Sequence, residues 1–410
     1  MFKRSRKTAF SALTVAATLA VGAGFQPASA AENVVSAAVG TRLKDATKLV
    51  ADRKITEAVV KAKEALAQAK TPFETFKANE VLAYIDLKAN DAQGALHSYE
   101  QIIDSPYLDA NSRVNYTKTL AQLYFGTRSY GKAIEYGQRV LKSSPSDVDF
   151  IVLVGQAYFV QKDCRSASRY MDQAIEASQA QGRAPKENYY LIKLQCAIDT
   201  QNVPGQIDAL DDLVARFPKK EHWNRLLSLA GRDQPDKTTQ HIYRLKFDTD
   251  TIDTAAEFVE MAQLALQFGY PGEAQAVLER GFSSKVLEKD PAIAERNHRL
   301  LDSARKDADA DKKTLPLQDK EARNQKTGEA DVKLGFAYLT YGDATHAVEA
   351  LERGIGKGGV KSPAEAQIFL GMAYLKAKRP DDAKRAFRAA KDDQLLGTVA
   401  KLWIIRADQS

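Results

Sequence analysis

Cysteine is scarce in this 410-residue chain: there are two, Cys164 and Cys196, so no disulfide-dense scaffold is available and apolar burial must hold the fold together. Tryptophan and methionine are scarce as well, at two and four. Nowhere does apolar/polar alternation of period two run long enough to suggest a strand, which leaves an all-α chain. Five histidines, His97, His222, His241, His298 and His346, stand far apart with no paired ligand spacing, and no metal ligation is expected from them. A strong excess of either charge is also missing, with 59 basic side chains against 53 acidic ones. The formal net charge is +6, and Lys3, Arg4, Arg6 and Lys7 contribute four of those charges before any acidic residue occurs. Nucleic-acid binding, which needs a concentrated basic face, has no compositional support.

Those four basic residues precede a run from Ala9 to Phe25 that is rich in Ala, Thr, Ser and Gly, followed by Pro27-Ala28-Ser29-Ala30. The pattern is that of a secretory signal peptide cut after Ala30, too weakly apolar for a retained anchor. No adjacent arginine pair marks a twin-arginine route and no cysteine follows to take a lipid, so residues 1–30 are expected to be removed with no membrane insertion afterwards. The expected location is periplasmic.

Nearly all of the remainder is repetitive. The stretches at 154–171, 334–351 and 370–387 share one frame, with Gly second, Ala-Tyr fourth and fifth, a turn near the middle, Ala fourteenth and a bulky apolar residue last. The Ala slot recurs as Ala58, Ala95, Ala133, Ala167, Gln206, Thr239, Ala274, Ala347 and Ala383, at spacings of 33 to 39 residues except for 73 between Ala274 and Ala347. That double gap predicts a degenerate copy, making about ten units of two helices each. In the last unit Leu370, Gly371, Tyr374 and Leu375 form one helical face and Ala383, Ala386, Phe387 and Ala390 another, with Arg379-Pro380-Asp381 as the break. Gly371 and Ala383 let the helices approach, and Tyr374 and Phe387 fill the ends. Ser362-Pro363-Ala364-Glu365 reads as a capping box at its start.

The expected organisation is a signal peptide (1–30), an array of about seven units (31–281), a degenerate charge-rich repeat and connection loosened around Pro316 (282–330), two well-formed units (331–392), and a capping helix with tail (393–410) that covers the last repeat.

These residues resemble the tetratricopeptide repeat. Val154, Gly155, Tyr158, Ala167, Met171 and Ala174 follow its pattern, as do Leu334, Gly335, Tyr338, Ala347 and Leu351, and Leu370, Gly371, Tyr374, Ala383, Phe387 and Ala390. Leu120, Tyr124, Ala133 and Pro145 fit too, and Trp223, Leu226, Leu227 and Ala230 reproduce its Trp-x-x-Leu opening with Leu227 in the small slot. Gln206 and Thr239 depart at the Ala slot, which predicts irregular packing in the middle. The resemblance implies a right-handed superhelical solenoid of about ten antiparallel helix pairs, non-enzymatic and without a cofactor, whose first helices line a concave groove for a protein or peptide.

Carried over to this chain, the groove positions are Tyr84, Gln122, Gln156, Gln195, Gln263, Phe336 and Met372 in one slot and Leu87, Phe125, Phe159, Ile198, Leu266, Leu339 and Leu375 in the next. Asn115 and Lys118 join Gln122, Phe125, Gln156, Phe159, Gln195 and Gln263 as the candidate partner surface, the amides suited to a peptide backbone and the apolar residues to its side chains. A solvated face with ordinary packing between repeats is the alternative. The family's Lys/Asn clamp for acidic chaperone tails is missing. Two functional expectations follow: a peptide-binding scaffold of the bacterial envelope, or a subunit of an envelope assembly such as an exopolysaccharide export complex.

Catalytic strings do not survive their context. Ser129 to Lys132 falls on an interhelix turn and Lys326-Thr327-Gly328 on a charged connection, with no third box. Gly354 to Gly359 has Val360 where a phosphate loop needs Lys, and Asp307, Asp309 and Asp311 are followed by Lys312 where a calcium loop needs Gly. Cys164 opens the second helix of one unit and Cys196 lies late in the first helix of the next, which in an antiparallel array puts them at one level. A structural disulfide closing about 33 residues, contributing about 3–4 kcal/mol, and two buried free thiols are both open readings.

Overall fold

The computed structural model describes residues 33–410, so the signal-peptide reading lies outside the described residues. These form helices and turns without a strand, in two compact units that divide between Ser143 and Ser144. None of the described helices is long and apolar enough to cross a membrane.

The first unit holds three hairpins: α1 (Ala37–Ala51) with α2 (Ile55–Gln68), α3 (Pro72–Lys88) with α4 (Ala92–Ile102), and α5 (Ala110–Gly126) with α6 (Tyr130–Ser143). The second begins with four more: α7 (Val148–Val160) with α8 (Cys164–Ala180), α9 (Glu187–Asp199) with α10 (Val203–Arg216), α11 (Lys220–Ala230) with α12 (Asp236–Asp248), and α13 (Ala255–Gln267) with α14 (Pro271–Ser283). A single helix, α15 (Pro291–Asn324), follows. The hairpins α16 (Glu329–Thr340) with α17 (Ala344–Lys357) and α18 (Pro363–Lys376) with α19 (Pro380–Ala390) lead to α20 (Gly397–Ala407).

Most hairpin turns, though not the one between α11 and α12, repeat one backbone solution. The first helix ends in a residue of positive φ, as at Asn90, Arg128, Lys162, Gln201, Gly342 and Lys378, and the next amide reaches back five residues to a helix carbonyl. Asp163 to Tyr158, Asp343 to Tyr338 and Arg379 to Tyr374 are examples at 2.8–3.0 Å. This Schellman closure satisfies the last carbonyls of one helix. The residue that makes it then caps the following helix: Asp91, Asp163, Asn202 and Asp343 accept from the amide three residues on.

Between the helices of a hairpin, the small slots act as expected. A Cβ on Gly371 would lie 2.3 Å from the fully buried ring of Phe387, and one on Gly335 would lie 2.6 Å from Leu351. Between hairpins the repeat tyrosine donates to a carboxylate of the preceding second helix, Tyr124 to Glu100 and Tyr374 to Glu352. That polar tie between units goes beyond the space-filling role expected for Tyr374.

Three sequence expectations are corrected. The degenerate two-helix copy at 282–330 is instead the uninterrupted 34-residue α15, with Pro316 inside it and exposed. A proline removes one ladder bond and costs about 3 kcal/mol in a helix interior. Contacts on both sides of it outweigh that cost: Leu301 and Ala304 pack on the core of α13 and α14, and Leu315 and Ala322 on Leu334 and Ala350. Arg353 holds Asp319 at 2.7 Å, and Lys357 holds the Ala322 carbonyl at 2.7 Å. Among the described residues, nine hairpins and one long helix therefore stand where about ten pairs were expected.

The Ser362 to Glu365 capping box does not form, because the Glu365 carboxylate is drawn to Lys237 and His241 instead. The expected boundaries at 281, 330 and 392 are not those of compact units, because α9 to α12 share a core with 331–410. Helix α20 does cover the last repeat, with Trp403 stacked 5.6 Å from Phe387, but it also packs on α10 and α12. Gln409 donates to the Val214 carbonyl at 2.7 Å, and Arg406 pairs with Asp248 at 2.6 Å.

Opposite outcomes are expected for one substitution at two glycines. Gly371→Ala overpacks against Phe387 and should lower stability by about 1–3 kcal/mol. Gly356→Ala, which meets open space late in α17, should raise it by up to about 1 kcal/mol. Urea melts of the two variants check this pair of signs.

Candidate partner-binding cleft

Helix α12 is the unusual element of the second unit. It is among the more polar helices of the chain, yet Thr238 and the whole run from Gln240 to Lys246 are buried. A polar helix enclosed on all sides requires partners for every charge, and these come from the next hairpin and from more distant repeats. Arg244, 4% exposed, makes a two-pronged ion pair with Glu273 of α14, Nε to Oε1 at 2.7 Å and a second nitrogen to Oε2 at 2.8 Å. Gln240 donates to the same carboxylate at 2.9 Å. The Arg244 guanidinium lies 4.4 Å from the Phe336 ring of α16 and 5.1 Å from the Phe369 ring of α18, which are stacked on each other at 3.9 Å. Tyr270 meets Phe336 edge-on at 4.6 Å.

His241 is fully enclosed beside this stack. Burial first, and the Arg244 charge next, pull its pKa from 6.5 down to about 4 against the opposing pull of Glu365. The ring is therefore neutral at neutral pH, and its Nε2–H donates to the Glu365 carboxylate at 3.2 Å. Burial pushes the Glu365 carboxyl up, but that bond and Lys237 at 2.6 Å outweigh it and hold the group down to about 2.

This layer forms one wall of a cleft of about 480 Å³. The groove positions Phe336 and Leu339 of one repeat and Met372 and Leu375 of the next all line it. Half-buried Phe247 supplies further apolar surface, and the C-terminal residues Arg406, Gln409 and Ser410 close one side. Arg244 and Arg406 are neutralised by Glu273 and Asp248. Lys376, exposed at the same cleft, has no ion-pair partner among the described residues.

The other candidate positions are more dispersed. In the first unit Asn115 and Gln122 are exposed on α5 and Phe125 is half-buried against Tyr130, 5.5 Å between ring centres. Lys118 is half-buried on the same helix. In the second unit Gln156, Phe159 and Gln195 are half-buried and Gln263 is exposed. The Gln195 amide donates to Asp199 on its own helix at 2.7 Å. None of these eight residues lines the 480 Å³ cleft.

Cys164 and Cys196 are free thiols here rather than a bridge. The catalytic look-alikes have structural places. The Ser129 amide makes the turn bond to Tyr124, Asp311 accepts from Tyr341 at 2.8 Å within α15, and Gly354 packs against the backbone of Gly328. One cluster escaped sequence reading: ligand atoms of Glu187, Glu221 and His222 lie within 4.8 Å of one another. Glu187 already holds Lys219 at 2.6 Å and His222 at 2.7 Å, which makes this an ion-pair cluster joining α9 to α11. Its partners are one repeat apart, so residue spacing within a single helix carried no sign of it.

The His241 environment sets a pH dependence. As pH falls below 6.5 the unfolded imidazole takes up a proton while the folded ring stays neutral until about 4, so stability is lost through that window. Glu365, with its folded pKa lowered, loses its contribution only below its ordinary 4.5. Between pH 7 and 5 the thermal midpoint should therefore fall more steeply for the natural chain than for His241→Gln. Equal slopes would remove His241 from the account.

Residues 81–148 and 332–394 match the family model of the tetratricopeptide repeat. No curated protein is a match. Among solved structures, a tetratricopeptide repeat protein from Parabacteroides merdae is similar at 12% identity over 92% of this chain and 100% of its own, with a TM-score of 0.34. MamA from Desulfovibrio magneticus, from residue 41 to its end, is similar at 14% identity over 49% of this chain and 100% of its own, with a TM-score of 0.32. For pilF of Pseudomonas aeruginosa the values are 11%, 56%, 90% and 0.29. Such scores carry nothing over about how the repeats are arranged. The matched segments fall on hairpins whose Gly, Tyr and Ala contacts are those described above, and the chain is a tetratricopeptide repeat protein.

Proposed function

We propose that this chain is a non-enzymatic scaffold of the bacterial cell envelope that binds an extended segment of a partner protein in the cleft of its last two repeats. The repeat fold is that of a protein-interaction scaffold. The observation that carries the finer reading is the convergence of four groove positions, Phe336, Leu339, Met372 and Leu375, on one cleft. Apolar side chains of an extended segment would seat on Leu339, Met372 and Leu375, and Lys376 would meet a carboxylate of the partner, since both arginines at the cleft are already neutralised. The basic start, the weakly apolar run and the Ala28-Ser29-Ala30 site support export with cleavage after Ala30.

A photo-crosslinking residue at Met372 or Leu375, in intact cells, should capture one partner. Met372→Glu with Leu375→Glu should reduce its recovery about tenfold or more, equivalent to about 1.4 kcal/mol of binding. Undiminished recovery would reject the cleft. Loss on joint replacement of Gln122, Gln156 and Gln195 alone would move the site to the glutamine positions. The envelope fraction should yield a chain beginning at Ala31; a chain retaining Met1 in the cytoplasm would reject export.

A further inference from the structure

We infer that Cys164 and Cys196 are a dithiol pair that exchanges with a disulfide oxidant, Cys164 reacting first and Cys196 resolving. The placement of the pair follows from the helices that carry it. Cys164 is the first residue of α8 and Cys196 lies in the penultimate turn of α9, and these antiparallel neighbours are tied on both sides of the thiols. Lys162, in the turn before α8, pairs with Asp199 at the end of α9 at 3.5 Å, and Lys193 pairs with Asp172 at 2.7 Å. Within that frame Cys164 adjoins Cys196, and after burial it is the neighbour that most raises the Cys196 pKa.

The two sulfurs differ in access. Cys164 is half-buried and reachable from solvent, whereas Cys196 is 2% exposed. Burial first, and the adjacent Cys164 next, push the Cys196 thiol up to about 12, so it stays protonated until a reaction begins beside it. Oxidation therefore starts at Cys164. Its thiolate attacks one sulfur of a disulfide reagent, forming a mixed disulfide and releasing the reagent's other sulfur as a thiolate. Removing the Cys164 thiol also removes one of the influences that keep Cys196 protonated. Cys196 then loses its proton to the released thiolate or to water and attacks the Cys164 sulfur. The S–S bond of the mixed disulfide breaks and the second reagent thiolate leaves. Two protein S–H bonds are exchanged for one S–S bond, and the reagent gains the two electrons and two protons.

The product would staple α8 to α9 across the boundary between two hairpins. Cys196 is the neighbour in sequence of Gln195, and the Cys164 turn follows Phe159, so oxidation would stiffen the edge of the array that carries those two candidate positions.

The test uses the whole chain, natural and with Cys164→Ser or Cys196→Ser, equilibrated with oxidised glutathione and then alkylated for mass spectrometry. The natural chain should lose both free thiols, gain a 164–196 crosslinked peptide without retained glutathione, and melt several degrees higher than after reduction. Cys196→Ser should trap glutathione on Cys164, and Cys164→Ser should remain unmodified. Two free thiols in the oxidised natural chain would overturn the proposal. Modification of Cys196 in Cys164→Ser at the natural rate would overturn the assigned order. Because the natural chain carries the primary readout, the result does not depend on either variant folding, nor on whether the cleft binds a partner.

Discussion

A guanidinium cannot be enclosed among aromatic rings without a carboxylate to hold it, and the second compact unit is organised around one such pair. Arg244 and Glu273 come from consecutive hairpins, but the rings that enclose the arginine, Phe336 and Phe369, come from the last two. Separating a buried pair of this kind by removing one partner costs about 3–5 kcal/mol, a large fraction of ordinary domain stability. The pair is therefore a constraint as much as a bond. It holds the C-terminal repeats against α12, and the His241, Glu365 and Lys237 group alongside it depends on the same contact.

That contact also explains why the middle of the array departs from the repeat pattern. The Ala slot is replaced by Gln206 and Thr239 at the two hairpins that receive α20 and the last repeats. Helix α12 has exchanged close approach to its own hairpin partner for burial among distant helices. In an open stack its face would be solvated, and its polar composition would be ordinary. Here Arg244 and His241 need the partners observed, and the cleft beside them gains a fixed wall.

What was legible in the sequence was what is local. Gly371 against Phe387, the turn at Lys378 and Arg379, and the tyrosine and alanine slots are written within some twenty residues of one another, and the structure reproduces them. The groove frame was also legible, in that Phe336, Leu339, Met372 and Leu375 do converge. The misreadings came from interactions between residues far apart in the chain. Pro316 and the surrounding charges signal a break, and only contacts with α13, α14, α16 and α17 keep α15 whole. Glu365 has the spacing of a capping residue, and only Lys237 and His241, 128 and 124 residues away, show why it does not cap. The glutamine positions were chosen by slot alone, which says where a side chain sits on its helix but not what lies opposite.

Through the enclosed Arg244, helices α12, α18 and α20 are expected to behave as one cooperative body. Native-state hydrogen exchange on the full chain tests it most directly, with and without Arg244→Met. The amides of these three helices should open together in the natural chain and lose protection together in the variant. Exchange of α20 as an independently fraying cap, unaffected by Arg244→Met, would contradict it.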